Sequence, residues 1–122
     1  MTRIKSFRDL EVWQAAMEVA LACYDLTKRF PTSEQYGLTN QMRRAAVSIA
    51  SNIAEGHQRS RAAYVNHVQI ALGSLAELET QLELARRLRF CREEDAPVLR
   101  LPVDRTGQLL HGLLRSLRSQ SG

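Results

Sequence analysis

The sequence has little of what interrupts or staples a chain. Three prolines and six glycines in 122 residues disfavour a sheet of many short strands and favour long uninterrupted helices. Cys23 and Cys91 stand far apart, with no second cysteine or histidine at ligand spacing. Neither a zinc site nor a disulfide framework is expected, and the thiols read as reduced residues of a cytoplasmic protein. No apolar run follows the charges of the first ten residues, which excludes a secretory signal. The longest uncharged run, Ala62 to Ala76, is broken by Asn66, His67, Gln69 and Ser74 and falls short of a membrane span. There is no glycine-rich phosphate loop and no nucleophile elbow, and His57, His67 and His111 are not arranged as metal ligands. The expectation is a non-enzymatic protein without cofactor, metal or membrane partner.

What is present describes one soluble domain over residues 1–122. Hydrophobic content of 44% and charged content of 25% suffice for a core in a chain of this length. Apolar residues recur at spacings of three and four in four segments. Ser6 with Asp9 resembles a capping box ahead of a first helix whose stripe is Leu10, Trp13, Met17, Ala20, Leu21 and Tyr24, running to about Arg29, where Phe30-Pro31 ends it. Thr32 or Ser33 can cap a second helix with an inward stripe of Leu38, Met42, Ala45, Ala46, Ile49 and Ile53, and Gly56 suits a left-handed terminator. Ser60 can cap a third, striped by Tyr64, Val68, Ala71, Leu72, Leu75, Leu78 and Leu82 and ending near Arg89. The fourth carries Leu99, Val103, Thr106, Leu110, Leu113 and Leu117, with Pro102 marking a kink or a start just before it. Four helices joined by short loops give an all-α, antiparallel up-down-up-down four-helix bundle.

The second helix organises the rest. From Ala45 to Ala54 it is uncharged, and apart from Ser48, Ser51 and Asn52 its side chains are apolar. One bundle core covers only one face of such a helix. Val47, Ala50 and Ala54, with Ser51, are therefore the expected surface for neighbouring copies in a homo-oligomer. Folding the second and third helices back about residue 58 sets Arg43 and Arg44 near Gly73 to Glu77, with Glu77 as an ion partner. The same geometry sets Trp13 as a core anchor near Ser51. Asn52 is expected to make an interhelical hydrogen bond that fixes register, and Glu55 to pair with Arg59 or Arg61.

Charge is sorted between the two ends of this arrangement. Arg3, Lys5, Arg8, Arg59, Arg61, Arg115 and Arg118 gather at one end against Asp9, Glu11 and Glu55, whereas the cations of the other end nearly balance its carboxylates. The basic end is the candidate site for a nucleic-acid backbone, and a ring of copies would multiply it.

Phe7 to Trp13, Arg43 to Gly56 and Gly73 to Leu82 resemble, in the same order, motifs of the bacterial four-helix-bundle family of 23S rRNA intervening-sequence proteins. That resemblance implies a cytoplasmic antiparallel bundle assembling as a ring-like homopentamer, and it supplies no catalytic residue. A branch similar in fold is the accessory protein of diversity-generating retroelements, which works with a reverse transcriptase and its RNA. The expected function is an oligomeric scaffold that binds RNA or DNA through its basic end, with a purely protein-binding module as the alternative. Arg61 to His67 and Arg105 to His111 share a spacing similar to that of the all-helical HEPN ribonucleases, a minority reading.

Overall fold

The computed structural model describes residues 4–119 of the chain. Four α-helices account for most of it: α1 Glu11–Thr27, α2 Leu38–His57, α3 Arg61–Arg87 and α4 Ala96–Ser119, and no strand occurs among the described residues. Helix α1 packs on α2 and α4, and α3 packs on the same two, while the diagonal pairs stay apart. The result is a four-helix bundle around a single core. No helix among the described residues is long and apolar enough to cross a membrane.

The inward stripes of α2 and α3 follow their sequence periodicity. All six stripe residues of α2 are buried, with Met42, Ile49 and Ile53 fully so. On α3, Tyr64, Val68, Ala71, Leu75, Leu78 and Leu82 are buried and Leu72 is half-buried at the edge. Truncating one such aliphatic side chain to alanine costs about 2 to 5 kcal/mol, because the surrounding helices close the cavity only in part.

Helix α1 is rotated relative to the expected stripe. It buries Val12, Ala15, Ala16, Val19, Cys23 and Leu26. The predicted Leu10, Trp13, Met17 and Ala20 lie half-buried on its flank, and Leu21 and Tyr24 are 68% and 42% exposed. Both faces repeat at three and four residues. The face of small side chains lets neighbouring helices approach closely, and it is the one turned inward. Trp13 accordingly packs edge-on against Phe7, with ring centroids 5.3 Å apart, at the margin of the core.

The helix ends also differ from expectation. Ser6 and Asp9 do form a reciprocal capping box, but on a short 3-10 turn, Phe7–Asp9, with Leu10 then leading into α1. Thr32–Glu34 is another 3-10 turn, and α2 begins at Leu38, whose N–H donates to the Glu34 carboxylate at 3.1 Å. That carboxylate takes the place of the expected Thr32 or Ser33 cap and sits favourably at a helix N-terminus. Gly56 lies inside α2 and has no positive φ. A Cβ there would stand 2.8 Å from both His67 Cβ and Tyr64 Cδ1, so its role is to let α3 pass close by. Ser60 caps α3 by accepting from Ala63 N–H. At the far end of α3 the left-handed position is taken by Arg89, at φ 62°. Helix α4 starts at Ala96, six residues before Pro102, and continues through it.

Candidate nucleic-acid interface

The cations expected at the basic end come from three places in the chain. Lys5 and Arg8 belong to the segment of the first 3-10 turn, which packs on α1 and α2. Arg59 lies in the three-residue turn between α2 and α3, Arg61 opens α3, and Arg115 and Arg118 lie in the last two turns of α4. All six are exposed, and Arg3 falls outside the described residues. The Arg8 guanidinium stacks over the Phe7 ring at 4.6 Å, which fixes its stem while leaving its charge at the surface.

Ion pairing separates this set from most of the cations around the α3–α4 connection, Arg89 excepted. There Arg29 pairs with Asp95 at 3.0 Å, Arg86 with Glu83 and Glu93, Arg87 with Glu83, and Arg92 with Glu94 and Asp95. Hydrogen bonds from Arg86 and Arg87 hold the Glu83 carboxyl down at about 2, and the bond from Arg92 holds Asp95 below the usual carboxylate range. Of these, Arg29, Arg86, Arg92, Glu93, Glu94 and Asp95 line a cleft of about 680 Å³ around Phe90 and Cys91, where Arg89 is the one cation without an ion pair among the described residues. By contrast, no ion pair among the described residues engages Lys5, Arg8, Arg59, Arg115 or Arg118.

Behind Arg59 runs a chain of hydrogen bonds that joins α2 to α3. Arg59 approaches His67 Nε2 at 3.4 Å, and His67 Nδ1–H donates to Asn52 Oδ1 at 2.9 Å. The Asn52 amide donates in turn to the Ser48 carbonyl at 2.9 Å and to its hydroxyl at 3.1 Å, and the Ser48 and Ser74 hydroxyls lie 2.9 Å apart. Because Asn52 Oδ1 can only accept, the ring proton is on Nδ1 and Nε2 is free to accept from Arg59. The turn is thereby tied to the middle of the bundle. Asn52 and His67 stand nearly equidistant from the Gln58–Ser60 turn, so folding the sequence about that turn could have found the pair.

Other expected partners are elsewhere. Arg43 does not meet Glu77. Its Nε donates to Thr27 Oγ1 at 2.8 Å and its guanidinium lies 4.5 Å over the Tyr24 ring, so it joins α2 to α1. Glu77 accepts from Gln81, one turn along its own helix, and no ion pair links it to Arg44 among the described residues. Of the surface assigned to neighbouring copies, Val47 is 43% exposed, Ser51 is exposed and Ala54 half-buried. Ala50 is 5% exposed, covered by the bundle itself, which removes it from that surface. Glu55 is exposed near the end of α2, and no ion pair joins it to Arg59. Arg105 pairs with Glu11 at 2.9 Å and reaches Glu18, binding α4 to α1. No group of three His, Cys, Asp or Glu among the described residues is placed to hold a metal ion. Burial pushes the Cys23 thiol up to about 12, and burial also raises Cys91, with Asp95 and Glu93 adding to the effect.

Comparison with known proteins matches residues 8–112 to the model of the 23S rRNA-intervening sequence protein family. The chain belongs to that family. A solved structure of similar shape is that of a protein with unknown function from the S23 ribosomal protein family, from Bacteroides thetaiotaomicron. It shares 27% sequence identity, aligns over 85% of this chain and 95% of its own, and gives a TM-score of 0.78. None of the curated proteins compared matches the chain. The family match ends before Arg115 and Arg118 and leaves out Lys5, so the intervening-sequence family is matched on the bundle and on only part of its basic end.

Proposed function

We propose that this intervening-sequence family protein is a non-enzymatic scaffold that binds RNA or DNA phosphates through one cationic end of the bundle and acts as a ring-like homo-oligomer. An up, down, up and down course is supported by two sets of contacts: Ser48 faces Ser74 while Asn52, further along α2, faces His67, earlier in α3, and Arg29, just after α1, meets Asp95, just before α4, while Glu11 at the start of α1 meets Arg105 within α4. That antiparallel course brings the start of α1, the α2–α3 turn and the end of α4 to one end. The observation that carries the reading is the difference in pairing. By the α3–α4 connection Arg29, Arg86, Arg87 and Arg92 are bonded to carboxylates and Arg89 alone is not, whereas none of Lys5, Arg8, Arg59, Arg115 and Arg118 is ion-paired among the described residues. Phosphate contacts of this kind release counterions and are independent of base sequence. Among the described residues no exposed aromatic stands with these cations to stack bases, and that favours backbone binding over readout of single-stranded sequence.

A filter-binding titration against duplex and single-stranded RNA and DNA at two salt concentrations tests it. The expected outcome is affinity that falls steeply with salt, with the slope of log K against log salt reduced by about 2 in the variant Arg59→Glu with Arg115→Glu. Absence of binding at low salt removes the nucleic-acid role and leaves a module that binds only protein.

A further inference from the structure

His67 stands behind the cations of the basic end. It is half-buried on α3, and its ring lies between Asn52 of α2 and Arg59 of the turn. The Ser48 carbonyl can only accept, so it fixes which way the Asn52 amide points: Nδ2 donates to that carbonyl at 2.9 Å, and Oδ1 is left for the ring. The ring proton is thereby set on Nδ1, and the Nε2 lone pair is turned toward Arg59. Gly56 allows this arrangement, because α3 passes α2 at His67 Cβ with no room for a methyl group between them. At 3.4 Å the contact from Arg59 to Nε2 is long for a hydrogen bond, and the exposed guanidinium is held only loosely.

We infer that Arg59 and His67 form a proton-linked seat for one phosphodiester of a nucleic-acid backbone. This rests on the proposed function and names where one phosphate sits. Nε2 is the ring nitrogen that can take a second proton, since Nδ1 already carries one. With that proton alone, two cationic donors would face each other and neither would have an acceptor. An anionic phosphate oxygen between them accepts from both, in two charge-assisted hydrogen bonds. The seated phosphate therefore brings a proton in from solvent, and binding strengthens as pH falls. Asn52 keeps its bond from Nδ1–H throughout, so the ring stays fixed between α2 and α3 while Arg59 swings to the ligand. Helix α2 brings Glu55, its one carboxylate, which is exposed and has no ion pair among the described residues. It also brings His57, whose ring packs edge-on against Tyr64 of α3 at 5.8 Å. Arg61 opens α3, and the 3-10 segment packed on α2 carries Lys5, Arg8 and Asp9, with Asp9 engaged in its capping box. No carboxylate is bonded to His67 among the described residues, so an arriving phosphate displaces only Arg59.

Affinity for an RNA duplex, measured by filter binding at one salt concentration at pH 8 and at pH 6, tests the seat. Histidine is the side chain whose charge changes across this range, and phosphodiesters keep theirs. Wild type should bind about tenfold tighter at pH 6, and the gain should shrink to about threefold or less in His67→Gln. His57→Gln, at the same end, should keep a gain of about fivefold or more. Circular dichroism verifies the helices of each variant. Calorimetry of wild type alone, in buffers of different ionisation enthalpy, is the second readout: binding at pH 7 should take up protons, to a limit of one per seat. Equal gains in wild type and His67→Gln, loss of the gain in His57→Gln instead, or binding without proton uptake overturns the seat and leaves the basic end as a nucleic-acid site. Absence of binding by wild type at both pH values and low salt overturns the basic end as well.

Discussion

Substituting alanine at two glycines of the bundle isolates the close approach of α2 and α3 from helix propensity. Gly73 is interior to α3, and Gly56 is the penultimate residue of α2, where the propensity gain is at most that of an interior site. In that setting alanine is favoured over glycine by about 0.5 to 1 kcal/mol, because glycine loses more backbone freedom on folding. At Gly73 a Cβ meets nothing within 4 Å, so Gly73→Ala should keep the whole gain. At Gly56 the Cβ would lie 2.8 Å from His67 Cβ and from Tyr64 Cδ1. The first of these is fixed to its own helix backbone and cannot swing aside. Forcing an extra methyl into such a contact costs about 1 to 3 kcal/mol. Set against the propensity gain, Gly56→Ala should be destabilised by about 1 kcal/mol. The two variants should therefore move in opposite directions, each by about 2 to 4 °C in Tm for a domain of this size. Thermal and urea melts followed by circular dichroism at one protein concentration measure both shifts, since assembly makes Tm depend on concentration. Equal stabilisation of the two variants would refute the close approach and, with it, the reason for glycine at position 56.

Three further outcomes are expected. The Tyr64 hydroxyl is buried with no hydrogen-bond partner among the described residues. Tyr64→Phe should therefore be neutral or raise stability by up to about 1 kcal/mol in a urea melt, and a loss of 2 kcal/mol would reveal a bond the structure does not have. With the Cys23 thiol buried and pushed up to about 12 and Cys91 only half-buried, a thiol reagent at pH 8 should label Cys91 slowly and Cys23 not at all until the chain unfolds. Labelling of both at one rate in the native protein, read by intact mass, would contradict the burial of α1. The Glu83 carboxyl is held at about 2 by Arg86 and Arg87, below its unfolded value of about 4.3. A lowered folded value means its contribution is present above pH 4.3 and fades as pH falls towards 2. Melts between pH 5 and pH 2.5 should show that loss in wild type and a smaller one in Glu83→Gln, and equal slopes would show that the pairing with Arg86 and Arg87 does not stabilise the fold.

Much of the fold was legible because helix signals are local. Spacing of three and four marks α2 and α3 and their buried faces, and Ser60 caps where its position before α3 suggests. The ends were less legible because capping groups substitute for one another. The Glu34 carboxylate does at α2 what Thr32 or Ser33 could have done, and Arg89 adopts the left-handed conformation that a glycine more commonly takes. Of the candidate site, the cations could be read from sequence, but their pairing could not. Whether an arginine is spent on a carboxylate depends on neighbours such as Asp95, which meets Arg29 from 66 positions further along the chain.

By itself the sequence determined that this chain forms four long helices, what each buries along α2 and α3, and which family it belongs to. Only the tertiary structure decided which apolar face of α1 turns inward. Val12, Ala16, Val19 and Cys23 repeat with the same period as Leu10, Trp13, Met17 and Leu21, so periodicity alone is silent between them. The choice is made by how closely the neighbouring helices can approach a face of small side chains. The larger side chains are left at the margin, and Leu21 and Tyr24 remain exposed, with Tyr24 and Val47 bordering one cleft on the bundle's surface.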